Sequence, residues 1–420
     1  MEEISVLLVS SKLPPEYTGS GLRIINMYRR LLQHYRLKVT AICGSVEFSK
    51  DEAYRLDGIM IRRFNNSMLP YHKIIIENNR LLRKIKLNLK VMLEGIRFLP
   101  QFLSQRYDVI HIVGKNYLTA VGTSLAYIFR KPLILEYVNC DRPKEFNFAH
   151  EPGILKKFIR SSPYKSKKTI LIAISPFIKQ NLRKFGLRNI WLRPNPISEN
   201  KFRFYAQEEK KSLRQRQGNF SNDDIVLCYI AKWRPSKNHI FLLELLKSLP
   251  DRFKLILGGP VAEGGPYYDR DRALVKAARD FIAQHALSDR VMFFEGFKEN
   301  IAELMALSDV YLFPTLEEAL GTPLLEAIAI GRPVVANNLS EVWGWIAERF
   351  SSVFLTPLSQ SEWTTSIRKA LEIKEEVLKE LSGRMLDFSS SKIIDKKYYL
   401  LLKGLKENKY NSEEIIRSIQ

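Results

Sequence analysis

Apolar positions in this chain gather into short runs separated by amphipathic stretches. Residues 4–9 form the first run. A proline- and glycine-bearing loop, 10–21, follows, and then Ile24, Met27, Leu31 and Leu32 recur at helical spacing. Further runs at 38–43, 109–113, 133–137, 169–174 and 190–192 have strand character, with helical patterns between several of them. Continuous apolar runs alternating with helices predict a parallel sheet covered on both faces, so residues 1–200 read as one doubly wound α/β domain. The same pattern returns without repeating the sequence at 225–230, 254–257, 291–294, 310–313 and 334–336, predicting a second such domain over 223–394. The polar stretch 207–224 reads as a linker, placed at 201–222 between the domains, and the Lys-, Tyr- and Leu-rich end, 395–420, as helix.

The most informative stretch is 310–341, VYLFPTLEEALGTPLLEAIAIGRPVVANNLSE. It reads as strand, loop, helix, strand, with Thr322 as N-cap, Pro323 at the first helical position, and Gly331 with Pro333 ending the helix. Such a loop presents unpaired amides over 320–324 and the positive end of a helix, which suits a phosphate or diphosphate. Two carboxylates, Glu318 and Glu326, flank that anion site. They would repel phosphate, so their expected task is to accept hydrogen bonds from hydroxyls on either side of a diphosphate, the donor sugar and the ribose of a nucleotide sugar.

At these residues the chain resembles the retaining glycosyltransferases of family 4, which implies the GT-B fold, two Rossmann-like domains facing a central cleft. The family's acidic loop, proline and second Glu match Glu318-Ala319-Leu320-Gly321, Pro323 and Glu326. The resemblance implies that Glu318 meets the donor sugar and Glu326 the ribose, while Ala319, Leu320, Gly321, Thr322, Pro323 and Leu324 are the donor-binding candidates of the loop read above. Lys232 and Lys237 match the family's diphosphate-binding cations, with Lys at 232 in place of the usual Arg and so without its bidentate fork. Phe297 and Lys298 stand where the family places the nucleotide base, and Gly19, Ser20 and Gly21 where its first loop approaches donor phosphates or acceptor. The family's interdomain segment is matched by Pro194-Asn195-Pro196-Ile197 and Lys201-Phe202, and its terminal helix crosses back to the first domain. Where the family has an acceptor-side His, this chain has Val138 or Asn139, leaving Asn139 and Asp141 as acceptor-side candidates. Transfer in this family is front-side and needs no catalytic metal. Asp269-Arg270-Asp271 matches the metal motif of another transferase fold but lacks a partner ligand, and His111 reads as structural.

Charge then narrows the partners. Of the net +21, residues 1–200 carry +19, from 34 Lys and Arg against 15 Asp and Glu. That half is expected to meet a polyanion, an anionic membrane surface or nucleic acid, and the absence of a nucleic-acid-reading motif favours the membrane. Within 80–99, Leu81, Ile85, Leu89, Met92, Ile96 and Leu99 lie at helical spacing, while Arg83, Lys86, Lys90 and Arg97 gather on another face. Two readings stand: a helix lying in a membrane interface, or an apolar stripe packed on the sheet with the basic face in water. The two can coexist, since a basic face alone, helped by Lys156, Lys157, Lys165, Lys167 and Lys168, can dock on anionic lipid. No apolar run reaches a membrane span, and the acidic start MEEISVLLVS is unlike a signal peptide, so a cytoplasmic protein peripheral at the inner membrane face is expected. Cys43, Cys140 and Cys228 are scattered and indicate neither disulfide nor zinc.

The expectation is therefore a metal-independent retaining hexosyltransferase that uses a UDP- or GDP-linked sugar as co-substrate, without a resident cofactor. Its acceptor is expected to be a glycan or lipid-linked hydroxyl in polysaccharide, lipopolysaccharide or glycolipid synthesis. The alternatives are a nucleotide-sugar epimerase or disaccharide-phosphate synthase on the same fold, a basic nucleic-acid-binding protein, and a non-catalytic nucleotide-sugar-binding scaffold.

Overall fold

The computed structural model describes residues 2–16, 18–45, 48, 50–65, 78–104, 106–114, 117–137, 162–218, 220–264, 267–407 and 412–419. Two compact units emerge, Met1–Pro194 with Ile394–Gln420, and Asn195–Ile393.

The first unit holds β1 (Ile4–Ser10), β2 (Leu37–Gly44), β3 (Glu52–Leu56), β4 (Ile59–Phe64), β5 (Val109–Val113), β6 (Leu133–Tyr137), β7 (Thr169–Ala173) and β8 (Ile190–Leu192), in the order β3-β4-β2-β1-β5-β6-β7-β8. All pairs are parallel except β3 with β4. That hairpin was not expected from the pattern. Its turn is Asp57-Gly58, both at positive φ (50° and 82°), the geometry a two-residue hairpin needs. The helix Gly19–His34 buries Ile24, Met27 and Leu31 against the sheet, with Leu32 only partly covered.

The chain returns to this unit through the helices Ser391–Glu407 and Ser412–Ile419, whose Tyr398, Leu401, Leu402, Leu405, Ile415, Ile416 and Ile419 join its core. A buried polar group fixes the first of them. Tyr398 and Tyr28 place their hydroxyls 2.7 and 2.9 Å from His111 Nδ1, and His111 Nε2 faces Glu136 at 3.5 Å. Glu136 Oε1 in turn lies 2.6 Å from Arg193 and also pairs with Arg23. Burial lowers the His111 pKa and opposes ionisation of Glu136, but the two guanidiniums outweigh burial and hold that carboxyl far below its usual range. His111 is thus enclosed by side chains that tie the terminal helix to β5.

The second unit holds β9 (Ile225–Ile230), β10 (Phe253–Gly259), β11 (Val291–Glu295), β12 (Val310–Phe313), β13 (Val334–Asn337) and β14 (Val353–Thr356), all parallel, in the order β11-β10-β9-β12-β13-β14. The linker expected at 201–222 is instead part of this unit. Gln207–Gln217 is a helix, and Lys210 and Arg214 reach Asp309 at 2.5 and 2.7 Å. Asp309 also accepts the Val226 amide at 2.7 Å, so it joins the amino-terminal ends of β9 and β12. Burial opposes its ionisation, yet the two cations keep its pKa below the ordinary value. The polar sequence read as a spacer is a charged clasp.

Candidate functional site

Strand order reverses between β9 and β12, since β10 lies on one side of the pair and β13 on the other. Loops leaving the carboxyl ends of two such strands diverge and open a crevice, the usual ligand position in doubly wound sheets. The two loops here carry the residues singled out from the sequence: Ala231 to Asn238 after β9, and Pro314 to Gly321 after β12.

These loops are knitted together through main-chain groups. The Ser236 carbonyl accepts the Thr315 hydroxyl at 2.9 Å and the Leu316 amide at 2.8 Å, while Tyr229 donates its hydroxyl to the Lys237 carbonyl at 2.8 Å. Asn238 turns in the left-handed region (φ 54°) and its amide reaches the Pro314 carbonyl at 3.4 Å. Neutral His239, its pKa pushed down to about 3 by burial, lies over Trp233 and meets the Ala231 carbonyl at 3.2 Å. This framework brings Lys237 and Glu318 together, Nζ to Oε2 at 2.5 Å, and the other Glu318 oxygen accepts the Ala319 amide at 3.1 Å. Lys232 lies half-buried on the same loop as Lys237.

The turn into the next helix corrects one expectation. The N-cap is Gly321, not Thr322: Gly321 adopts φ 75°, and the helix runs Thr322–Ala329 with Pro323 in its first turn. A Cβ at Gly321 would stand 2.9 Å from Phe313, so glycine is required by backbone and packing alike. Thr322 instead accepts from Asn195 Nδ2 at 2.6 Å, and Trp343 Nε1 holds the Leu320 carbonyl at 2.9 Å. The run of open amides expected over 320–324 is also shorter. Pro323 has no N–H and the Leu324 amide binds the Gly321 carbonyl at 2.9 Å, whereas the amides of Leu320, Gly321 and Thr322 have no acceptor among the described residues. Glu326 follows on this helix, half-buried, its carboxylate without an ion pair or hydrogen bond among the described residues. Desolvation raises its carboxyl to about 7.

The remaining candidates lie elsewhere. Phe297 and Lys298 follow β11, with β10 between them and β9. Phe297 is 58% exposed rather than core, and the Lys298 ammonium sits 5.8 Å from the Phe294 ring. Gly19, Ser20 and Gly21 open the first helix of the other unit, where Thr18 Oγ1 accepts the Gly21 amide at 2.9 Å. A Cβ at Gly21 would come within 2.6 Å of the Lys12 carbonyl, so packing demands that glycine, while Gly19 has open space. Asn139 and Asp141 lie outside the described residues, as do Lys156 and Lys157. Asp271 is buried and bound by Arg270 at 2.6 Å.

The basic helix also differs from expectation. It spans Arg80–Leu103 and turns its charged side inward. Lys90 is buried 3.4 Å from Glu94, and Arg97 binds Asp51 at 2.6 Å and the Asn65 carbonyl at 3.1 Å. Arg83 and Lys86, on the same face as Lys90, are half-buried. The apolar stripe expected against the sheet faces outward, because the buried side is already filled by Lys90, Glu94, Phe98 and Phe102.

Thr315, Ser236, Tyr229 and Trp343 were not singled out from the sequence, and Asn195 was noted only as part of the interdomain segment. Thr315 lies in the diagnostic string itself, but the others act through one or two contacts that leave no spacing signal.

With this geometry in place, the known proteins resolve the class. The GT-B fold is shown by the structure of Anabaena HepE in complex with UDP and glucose, which covers 96% of this chain and 100% of its own at a TM-score of 0.65 and 18% identity. Residues 210–382 match the family model Glycosyl transferases group 1. Over those residues, which hold the loops after β9 and β12, the chain is similar to that family. The putative glycosyltransferase EpsF of Bacillus subtilis is 32% identical over 192 residues, 43% of this chain and 44% of EpsF. The lipopolysaccharide glucosyltransferase WaaG of Escherichia coli is 39% identical over 82 residues, 19% of this chain and 22% of WaaG. The chain thus aligns with less than half the length of these curated relatives.

Proposed function

We propose that this protein is a retaining glycosyltransferase that moves a hexose from a nucleoside-diphosphate sugar, UDP-linked, to a hydroxyl of a glycan or lipid-linked acceptor met at an anionic surface. The carrying observation is the convergence, at the switch point of the second sheet, of three open amides at 320–322, the Lys237–Glu318 pair and the unpaired Glu326. In this reading Lys237 and Lys232, with the amides, receive the charge that develops on the departing diphosphate. Glu318 accepts hydrogen bonds from hydroxyls of the donor sugar, and Glu326 from those of the ribose. The diphosphate, leaving on the face at which the acceptor enters, takes the acceptor's proton, so the new glycosidic bond keeps the donor's anomeric configuration. UDP is favoured over GDP because HepE, a protein of the same fold, was crystallised with it. A carbohydrate or lipid acceptor is supported by the similarity to WaaG and by the charge of residues 1–200.

Calorimetric titration of UDP, GDP and ADP into the wild type and Glu326→Ala tests the donor site. Selective binding of UDP that the variant loses is expected. Equal binding of all three, or binding indifferent to Glu326, refutes the assignment.

A further inference from the structure

Large apolar side chains are unevenly spread over this surface. Of the nineteen that are exposed among the described residues, eleven belong to the helix Arg80–Leu103 and the neighbouring segment Tyr127 to Phe129. On the helix, Leu81, Ile85, Leu89, Met92, Ile96, Leu99 and Leu103 follow one another at intervals of three and four, with exposures from 37% at Leu99 to 68% at Leu81. At 100° per residue they occupy an arc of about 80°, so they form one stripe along a helix about 36 Å long. Phe102 packs on Phe129 with ring centroids 5.3 Å apart, which sets Tyr127, Ile128 and Phe129 beside the stripe's end.

A soluble surface seldom displays so much contiguous apolar area without a partner. The charges around the stripe say which kind. Arg80, Lys84, Arg106 and Arg130 are exposed along its flanks and ends. The helix has one acidic residue, Glu94, and it is buried on the opposite side against Lys90. An apolar ridge with Arg80, Lys84, Arg106 and Arg130 exposed at its borders matches the boundary between the acyl chains and headgroups of an anionic bilayer. A second copy of the chain fits poorly, because residues 1–200 would bring a net +19 against +19. No helix among the described residues is long and apolar enough to cross a membrane, so the stripe lies in the surface rather than spanning it.

We infer that the helix Arg80–Leu103 is an in-plane membrane anchor that inserts its Leu81-to-Leu103 stripe into an anionic lipid surface, with Arg80, Lys84, Arg106 and Arg130 on the headgroups. Insertion differs from a basic face resting on lipid: the apolar side chains enter, and the inward ion pairs of Lys90 and Arg97 are kept. This deepens the proposed encounter with an acceptor at an anionic surface, and it stands on the first unit rather than on the donor site.

Flotation of the full-length protein with vesicles of phosphatidylcholine, with and without phosphatidylglycerol, tests it. The wild type is expected to float with the anionic vesicles, and Ile85→Glu/Met92→Glu/Ile96→Glu to lose about tenfold or more in partitioning. All three positions are exposed, so the triple variant should keep its circular dichroism and its UDP binding, which separates this test from failure of the donor site. An Ile96→Trp variant should gain fluorescence that brominated lipid quenches. The inference is overturned by any of four results: no binding of the wild type to anionic vesicles, full binding by the triple variant, loss only on Arg80→Gln/Lys84→Gln, or a wild-type dimer that the triple variant dissolves.

Discussion

Glu326→Gln separates what this carboxylate costs the fold from what it offers a ligand. Its carboxyl titrates at about 7 because desolvation disfavours the anion, whereas in the unfolded chain it titrates near ~4.3. A raised carboxyl makes folding less favourable as pH climbs: the penalty starts near the unfolded value, grows between the two, and is complete above about 7. Each unit of separation is worth about 1.4 kcal/mol. The side chain is only half-buried, and solvent screening reduces the total to about 1–2 kcal/mol. The neutral amide carries none of this, so the variant should melt higher than the wild type at pH 8, by roughly 2–6 °C for a unit of this size. The gain should shrink towards zero near pH 4.5. Binding should move the other way. Both oxygens of an ionised carboxylate accept from a pair of ribose hydroxyls, while an amide offers one acceptor. UDP-glucose, whose diphosphate has no ionisation in this range, should therefore bind the wild type more tightly from pH 6 to pH 8. The variant should bind about 10–100-fold more weakly at pH 8 and without that slope. Scanning calorimetry and isothermal titration read the two effects on the same samples. A variant that melts lower at pH 8, or that binds UDP-glucose like the wild type at every pH, refutes the reasoning.

Two further substitutions test the supports. Lys237→Ala removes the cation from the proposed diphosphate site, so UDP should bind about 10–100-fold more weakly while uridine binding is unchanged; calorimetry with the two ligands makes the comparison, and equal losses for both count against the role. Asp309→Ala leaves Lys210 and Arg214 buried without their anion and should destabilise the second unit by about 3–5 kcal/mol, read by urea unfolding, whereas a cost below about 1 kcal/mol would mean that the clasp is ornamental.

The fold was legible wherever burial on both faces leaves a continuous apolar run. In β5 and β7 every residue is buried, and the parallel order follows from helices lying between such strands. The hairpin β3–β4 escaped because β3 is mostly exposed at the sheet edge; its one signal, Asp57-Gly58, is a turn signal without a strand pattern on its first side. β14, at the sheet edge with its two middle residues only partly buried, was not expected either. The helix Gln207–Gln217 was misread because it is held by buried charges rather than an apolar face, and a pattern of hydrophobic positions is blind to that. On the helix Arg80–Leu103 the period was legible, but the sequence left two readings open, and the structure excludes the one with the apolar stripe packed on the sheet. Amphipathic spacing shows that two faces exist, and only the packing of Phe98, Phe102 and the Lys90–Glu94 pair shows which of them points inward.

In the candidate site, the legible residues are those whose chemistry is carried by side chains on consecutive positions of one strand, loop and helix. What positions them was hidden, because Ser236 and Leu320 are held through their carbonyls and those contacts place little demand on side-chain identity. The consequence is mechanical. With Thr315 and Leu316 both bound to the Ser236 carbonyl, the two loops move as one body, and the Lys237–Glu318 pair sits on a preorganised frame. Without a ligand, each of these half-buried charges neutralises the other. Under the proposed function an entering diphosphate competes for Lys237 with a larger negative charge than Glu318 offers. Its binding thus frees the carboxylate to accept hydrogen bonds from the sugar attached to that diphosphate. Coupling of this kind favours a donor carrying both groups over either group alone, since a free sugar leaves Lys237 holding Glu318 and a free diphosphate leaves the released Glu318 without a donor.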